Sequence, residues 1–237
     1  MTLITDKIRE LQSPIDMMFL MHKVFLIHSE KAAELAKKQL NGGNINEFRT
    51  LLDKWLNLLI YHYQIEDEFM TGPLKEKEYQ DGRMALRDNV NEHNDIKAQG
   101  QIVVSFLSDE TNTVMNIQEI LKMDDEDHSV VMEKIDIVKK AINDALGKET
   151  LVLQSRRHLY QSVLSLKTTE FDHFENEEAF VLPLVRKQMS HDKQLELAKK
   201  LLFDNEAVNP NWVYDFVLKS LNVEEQKLLE DLVCEMT

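Results

Sequence analysis

Glycine and proline are scarce in this chain, which has 6 glycines and 4 prolines among its 237 residues. Strands and tight turns depend on these residues as breakpoints, so their scarcity predicts long helices. No segment of any length alternates polar and apolar residues with the period of a strand. The pattern therefore favours an all-α fold.

Cysteine is limited to Cys234, which excludes an intrachain disulfide and a cysteine-based zinc or iron–sulfur site. No basic-then-apolar signal pattern opens the chain, and no apolar run approaches the ~18 residues that span a bilayer. Basic residues are outnumbered by acidic ones, and the net charge of −14 argues against nucleic acid as a partner. These observations predict a cytoplasmic protein without a membrane or nucleic-acid partner.

Helical periodicity divides the chain into four long segments and a tail of short helices. The predicted long helices cover residues 13–40, 45–71, about 83–107 and about 148–189, and the tail helices cover Lys193–Phe203, Asn211–Leu221 and Val223–Glu235. Between the last two long helices, an inserted helical segment at about 108–147 is broken by the acidic run Met123–His128. We interpret that run as a solvated turn, because it lacks the glycine and alternating ligands of a calcium loop. The expected domains are a bundle over residues 1–189 and a helical extension over 190–237 packed on it.

Two segments carry a histidine and a glutamate four residues apart, which places both side chains on one face of a helix. The two motifs are His62–Glu66 and His173–Glu177. A second acid, Asp67 or Glu178, directly follows each glutamate, and each segment ends in Pro-Leu. None of the other six histidines has an acid four residues later. Two matched motifs with the same downstream frame are typical of two halves of one metal site.

Imidazole and carboxylate are the usual ligands of iron, manganese and zinc where no cysteine is available. Burying Glu66 and Glu177 among apolar residues would be costly without a cation or a strong hydrogen-bond partner. The two other long helices each carry one histidine within an apolar stripe, His22 and His93. The sequence therefore predicts two divalent ions in the core of a helical bundle, held by His22, His62, Glu66, His93, His173 and Glu177.

His28 is the alternative to His22 on the first helix. It lies six residues further on, about 240° around the helix, so the two histidines cannot share a face. Its neighbours Ser29, Glu30 and Lys31 are typical of an outer face, and this favours His22. The alternative for any single histidine is an ordinary core or surface residue with a conventional hydrogen bond.

These residues resemble the hemerythrin-like (HHE cation-binding) family. Its pattern is a histidine on the first helix, His-x-x-x-Glu on the second, a histidine on the third and His-x-x-x-Glu on the fourth. The match covers residues 13–187, and the fourth motif is the most specific. The interval from His93 to His173 is long for the family, and the fifth histidine of animal hemerythrin has no counterpart here.

The resemblance implies a four-helix up-down bundle that holds a non-haem diiron centre. It implies one iron on His22 and His62, the other on His93 and His173, and bridging by Glu66 and Glu177. Iron is the metal that the family implies, while the ligand types alone also suit manganese or zinc.

A diferrous centre with a vacant position in an apolar sleeve binds small diatomic molecules, so the expected ligand is O₂ or NO, for storage, delivery or sensing. The expected sleeve consists of Phe19, Phe25, Trp55, Phe69 and Phe180. One alternative is a diiron oxidoreductase acting on O₂ or peroxide, with Tyr61 and Tyr63 as candidate proton or electron donors. Another is a helical interaction protein in which iron is a folding staple or a sensed ion. The sequence specifies no oligomeric state.

Overall fold

The computed structural model describes residues 8–42, 45–75, 117–146 and 153–236. Numbered in chain order, the helices are α1 (Met17–Gln39), α2 (Ile45–Ile65), α3 (Ile117–Leu146), α4 (Leu153–Asn176), α5 (Leu182–Gln188), α6 (His191–Leu202), α7 (Trp212–Ser220) and α8 (Val223–Glu235). No strand occurs within the four described ranges, and for them the all-α prediction is confirmed. The helix predicted over residues 83–107, with His93, lies outside the described residues.

The start of α1 is fixed by the carboxylate of Asp16, which ends a short 3₁₀ turn over Pro14–Asp16. This carboxylate accepts hydrogen bonds from the backbone N–H groups of Gln12 at 2.8 Å and Ser13 at 3.1 Å. The guanidinium of Arg186 on α5 also contacts it, at 2.7 Å. Proline tolerates the first helical turn because its missing N–H has no partner there, so Ser13-Pro14 opens the helix as the sequence predicts.

The acidic run Met123–His128 lies in the middle of α3, and the prediction of a turn at this run is wrong. The helix is continuous over 30 residues. Its charged residues divide between two faces: Asp124 and His128 are buried, while Asp125 is half-exposed and pairs with Lys75. Because the i and i+4 positions share a face, a helix can solvate one side of a charged run and bury the other. The acidic charge therefore does not break the helix.

A π-helical turn over Glu66–Thr71 follows α2 without ending it. The backbone N–H of Gly72 donates to the carbonyl oxygen of Asp67, five residues back, and Pro73 follows. Because Pro73 has no N–H, it cannot make the usual helical hydrogen bond, and the wider turn accommodates the gap. A Cβ atom on Gly72 would lie 2.6 Å from the Asp67 carbonyl oxygen. The close approach in this turn therefore requires glycine.

The same device recurs after α4, where Glu177–Val181 forms a second π-helical turn. The N–H of Leu182 donates to the carbonyl oxygen of Glu177, and Pro183 is the next residue. A proline inside a helix normally kinks or interrupts it. In the structure the helical path widens before the proline and continues into α5.

The four longest helices pack on one another through their apolar faces. α1 contacts α2 and α4, and α3 contacts α2 and α4. Phe25, Trp55, Val131 and Leu166, one from each of these helices, are fully buried. Burying a side chain of this size contributes about 1.5–3 kcal/mol. None of the described helices contains a stretch both long and apolar enough to cross a membrane.

The tail helix α6 lies against the turn over Pro14–Asp16 and against α2, while α7 and α8 lie against α1. Lys23 of α1 pairs with the carboxylate of Glu225, which is buried at the start of α8. His28 of α1 is also covered here: its Nε2 lies 3.0 Å from Ser220 Oγ, and its ring lies 4.4 Å from that of Phe216. The predicted outer face around His28 is therefore a contact surface for the tail.

Candidate metal centre

Six buried side chains converge in the core as two overlapping groups of metal-ligand atoms. The first group consists of His22, His62, Glu66 and Glu177. The second group consists of Glu66, His128 and His173. Within each group the ligand atoms lie within 4.8 Å of one another. Because Glu66 belongs to both groups, the six side chains form one centre.

The structure brings five of the predicted ligands together, namely His22, His62, Glu66, His173 and Glu177. His93 lies outside the described residues. The histidine that completes the second group is His128 of α3, which the sequence analysis placed in a solvated turn. Its signal was the spacing of the buried stripe of α3, which runs through Leu121, Asp124, His128, Val131, Ile135, Val138 and Ile142. That three-and-four alternation is the period of a helix face that packs on other helices.

Glu66 directs its two carboxylate oxygens to histidines of different groups. Its Oε1 lies 2.8 Å from His62 Nε2, one turn earlier on α2. Its Oε2 lies 3.3 Å from His128 Nε2 on α3. A carboxylate whose oxygens face different nitrogens has the arrangement of a bridging ligand between two cations.

Glu177 also reaches both groups, through one oxygen. Its Oε2 lies 3.1 Å from His22 Nε2 on α1 and 3.7 Å from His173 Nε2, one turn earlier on α4. Its other oxygen has no hydrogen-bond partner among the described residues. The two glutamates therefore lie between the groups and come from different helices.

The acid after each glutamate contacts a histidine on a different helix. Asp67 Oδ1 lies 2.7 Å from His128 Nδ1, and Glu178 Oε1 lies 2.9 Å from His22 Nδ1. In both cases the far nitrogen of the ring, Nε2, faces the centre. A carboxylate on one ring nitrogen fixes the tautomer and orientation of a metal-ligating histidine. The two consecutive acids of each motif therefore have different roles. The glutamate four residues after the histidine points into the centre, and the acid that follows it hydrogen-bonds to a histidine of another helix.

The inward-facing atoms of the centre lack ordinary hydrogen-bond partners. The atoms without a partner among the described residues are His22 Nε2, both ring nitrogens of His62 and of His173, His128 Nε2, and both oxygens of Glu66 and of Glu177. They approach one another at 2.8–3.7 Å without hydrogen-bond geometry. Buried polar atoms are normally hydrogen-bonded, and an unpaired buried charge is costly. Bound cations would satisfy one nitrogen of each ring and the carboxylate oxygens, so the residues fit a metal centre.

When no cation is present, bound protons balance the negative charge of the carboxylates in the first group. Burial lowers the pKa of His22, but the carboxylates of Glu177 and Glu178 outweigh it and raise the pKa to about 10. Burial and the charge of Glu66 raise the pKa of Glu177. Like charges that share a buried site cannot all ionise, so this group retains protons that a divalent cation would displace.

In the second group, the pKa values of the two histidines are shifted in opposite directions. Burial lowers the pKa of His128, but its contacts with Asp67 and Glu66 raise it to about 11. Burial and the positive charge of His128 hold the pKa of His173 well below its usual value. His173 is therefore neutral at physiological pH and has a lone pair available for a metal.

Asp124 adds a third buried carboxylate beside the second group. It lies one turn before His128 on α3, with Oδ1 3.8 Å from His128 Nε2. Asp67, Asp124 and His128 form a further group of possible ligand atoms within 4.8 Å, although Asp67 is half-exposed. Burial raises the pKa of Asp124 well above its ordinary value. The sequence analysis assigned this residue to the solvated turn.

Aromatic side chains line the first group. The ring of Phe174 stacks on His22 with centroids 4.1 Å apart, and Phe25 lies 4.7 Å from His62. Both phenylalanines are fully buried. Of the predicted sleeve, Phe25 contacts a ligand, whereas Phe19 lies under the guanidinium of Arg186. The wall against His22 is Phe174, which the sequence analysis did not single out.

The remaining members of the predicted sleeve lie elsewhere. Phe69 lies under the ammonium group of Lys200, and Phe180 is only partly buried. Trp55 is fully buried, and its indole N–H donates to Glu170 Oε1 at 2.9 Å. Burial raises the pKa of Glu170 to about 8, although the hydrogen bond from Trp55 acts to lower it. Trp55 therefore donates its hydrogen bond to a buried carboxyl group that is largely protonated at neutral pH.

Tyr63 borders the second group. Its ring lies 4.9 Å from that of His128 and 5.1 Å from that of His173. The side chain is buried, and its hydroxyl has no hydrogen-bond partner among the described residues. Burial and the charge of Glu170 raise the pKa of Tyr63 well above its usual value, so the hydroxyl keeps its proton. Tyr61 differs, because it is half-buried and donates to the Lys200 carbonyl at 2.5 Å.

No family model matches the chain, and no curated protein or solved structure matches it significantly.

Proposed function

We propose that the chain is a hemerythrin-like four-helix bundle, built from α1 to α4, that holds two iron ions. His22 and His62 would hold one ion, and His128 and His173 would hold the other, with Glu66 and Glu177 between them. The observation that carries this proposal is the convergence of buried ligand atoms without hydrogen-bond partners from four separate helices. In this assignment His128 takes the role that the sequence analysis predicted for His93.

Nitrogen and carboxylate ligands in this proportion suit iron, and also manganese or zinc. A catalytic zinc site typically uses three protein ligands around one ion, whereas this centre has four histidines and two carboxylates that span two groups. Helical bundles with inward-facing glutamate and histidine commonly hold paired iron or manganese ions. The buried aromatic side chains Phe25, Tyr63 and Phe174 complete an environment from which water is largely excluded.

We further propose that the function is reversible binding of O₂ or NO, for storage, delivery or sensing. A ferrous pair supplies an electron-rich position at which such a diatomic molecule binds. The chain supplies the surroundings: Phe25 and Phe174 form a dry wall beside His22 and His62. Such a wall excludes water and favours the release of an intact ligand over its reduction.

The first experiment measures metal in the full-length chain after growth in iron-replete medium. We expect about two iron ions per chain, and fewer than one in His62→Ala and in His173→Ala. Matched controls are His158→Ala and His191→Ala, since both residues are exposed and lie outside the centre. A chain that purifies without iron, and does not take up iron, manganese or zinc when apo protein is titrated, would contradict the metal centre.

One observation favours a second function, a diiron oxidoreductase acting on O₂ or peroxide. The hydroxyl of Tyr63 is buried beside His128 and His173 and has no partner among the described residues. A protonated hydroxyl in that place can donate a hydrogen bond or a proton to a ligand in the second group. Visible absorption separates the functions after reduced protein meets O₂: a band that reverses on deoxygenation supports binding, and consumption of an added reductant supports catalysis.

A further inference from the structure

Asp124 is a buried carboxylate that the assignment of six ligands leaves unused. Only 1% of its side chain is exposed, and neither oxygen has a hydrogen-bond partner among the described residues. Its Oδ1 lies 3.8 Å from His128 Nε2, the same nitrogen that faces Glu66 at 3.3 Å. The carboxylate therefore points toward the second group and away from solvent.

Packing alone gives no reason for an acid at this position. On the same buried stripe, Asp124 and His128 are flanked by Leu121 and Val131, both apolar. An aspartate there loses its hydration and gains no described hydrogen-bond donor in return, which is unfavourable, above all when it is ionised. A cation on the inner side of α3 removes this cost. Metal ligation is the role that explains both the burial and the missing partner.

A separate cation between Asp67, Asp124 and His128 is the competing arrangement, since these three residues also lie within 4.8 Å. The distance of 2.7 Å between Asp67 and His128 Nδ1 argues against it, because a hydrogen bond already occupies that nitrogen. The free nitrogen, Nε2, faces Glu66. Asp124 and His128 can therefore share a cation only within the centre itself.

We propose that Asp124 is a terminal ligand of the metal ion held by the second group, so that the two metal positions are inequivalent. The inference rests on the function proposed above. With Asp124, the second position has one protein ligand more than the first, and both share Glu66 and Glu177. A small exogenous ligand would then bind at the first position, beside the wall that Phe25 and Phe174 form.

The test replaces Asp124 with asparagine, which keeps the size of the side chain and removes its charge. The matched control is Asp125→Asn, the next residue of the same helix, whose side chain is 51% exposed. Apo forms of both variants and of the natural chain are titrated with Co²⁺ and, without oxygen, with Fe²⁺. The readouts are the two dissociation constants and the visible spectrum of Co²⁺, which reports the number of ligands at each ion.

We expect Asp124→Asn to lower the affinity for one of the two ions by about tenfold or more and to leave the affinity for the other unchanged. The Co²⁺ spectrum should change at that ion only, and Asp125→Asn should match the natural chain in both readouts. The melting temperature of apo Asp124→Asn should not fall below that of the apo natural chain, because neither oxygen of Asp124 has a described hydrogen-bond partner. A purely structural role for Asp124 would lower the apo melting temperature.

The outcomes separate this inference from the function on which it rests. If the natural chain binds two ions and Asp124→Asn binds both with unchanged affinity and spectrum, Asp124 is not a ligand. Equal weakening of both ions would contradict the inequivalence of the positions. A lower apo melting temperature with normal metal binding would also overturn the inference. Failure of the natural chain to bind any metal would instead overturn the proposed function.

Discussion

The two halves of the centre use the same kinds of ligand in different surroundings. The first group lies against two phenylalanines, Phe25 and Phe174, and its neighbourhood is apolar. The second group lies against Tyr63, whose hydroxyl is unpartnered among the described residues, and beside the carboxylate of Asp124. The comparison teaches that the ligand set selects the kind of metal, while the surroundings decide what each position can bind or exchange.

The halves also share one construction principle. In each half, a glutamate in a π-helical turn enters the centre, and the next residue holds a histidine on a different helix. Two consecutive residues of an ordinary helix point about 100° apart, so one side chain faces inward while its neighbour reaches sideways to the adjacent helix. The repeated turn therefore links the four helices around the centre in pairs.

The largest effect is expected from Glu66, because its carboxylate belongs to both groups. Glu66→Gln should abolish binding of both ions, with a loss of affinity greater than about 100-fold. Its control is Glu68→Gln, an exposed acid in the same π-helical turn. Inductively coupled plasma analysis of purified protein gives the metal content directly. If Glu66→Gln retains one tightly bound ion, the glutamate does not bridge the two halves.

The second effect separates the halves through their outer acids. Asp67→Asn should weaken binding of the ion on His128, and Glu178→Gln should weaken binding of the ion on His22. Each affinity should fall by about 10- to 100-fold. Each replacement removes the carboxylate that orients one ring through Nδ1. Stepwise titration of apo protein with Fe²⁺ measures both constants.

In each of these variants the other ion should bind as it does in the natural chain. The double variant should weaken both ions, with effects that add because the two acids lie in separate halves. Loss of both ions in either single variant would show that the halves do not act through separate outer acids.

The third effect is a pH dependence of the apo protein. The pKa of His22 is raised to about 10 and that of His128 to about 11, so the stability they contribute is complete below the unfolded value of 6.5. This stability is lost as the pH rises through about 10 and 11. Burial raises the pKa of Glu66, but the contacts and charges of His62 and His128 together outweigh burial and lower it, so its contribution is lost as the pH falls below 4.5.

Thermal melts of apo protein should therefore show greatest stability between the ordinary pKa values of glutamate and histidine, and a fall of several degrees by about pH 10. Metal affinity should instead increase as the pH rises, since ligands bind metal only after losing their protons. His158→Gln, at an exposed position of α4, should leave both profiles unchanged. An apo stability that increases steadily from neutral to alkaline pH would contradict the histidine–carboxylate pairing.

The smallest effect is expected from Tyr63→Phe, which removes a hydroxyl that has no described partner. The melting temperature of the apo variant should stay equal or rise slightly, because an unsatisfied buried hydroxyl costs about 1–3 kcal/mol. Metal content should not change. If the second function holds, consumption of reductant in the presence of O₂ should fall, and the second half is then the reactive one. A clear drop in apo stability would instead assign Tyr63 a structural hydrogen bond.

The sequence identifies much of this centre because four of its ligands lie in two local motifs. His62, Glu66, His173 and Glu177 are found by a spacing of four, and His22 by its place in an apolar stripe. His128 and Asp124 are harder to identify, because a run of acids has the composition of a solvated turn. Their three-and-four spacing with apolar neighbours on α3 was the competing signal, and burial by tertiary contacts decides between the two interpretations.

The π-helical turns and the cross-helix tasks of Asp67 and Glu178 are a different case. Pro73 and Pro183 indicate that the helical hydrogen bonding must change, but proline alone does not distinguish a kink, an end or a wider turn. Which histidine each outer acid contacts depends on how the helices pack, since the two contacts join residues 156 and 61 positions apart. Local spacing carries no information about such pairs.

The ion pair between Lys23 and Glu225 has a consequence for the final helix of the chain. Lys23 directly follows His22, and Glu225 lies at the start of α8, buried and held by the chain around it. Displacing α8 would carry the buried Glu225 carboxylate away and leave Lys23 without its partner, next to His22 in the candidate metal centre. A molecule that binds or removes α8 would therefore disturb the candidate centre from a distant part of the sequence.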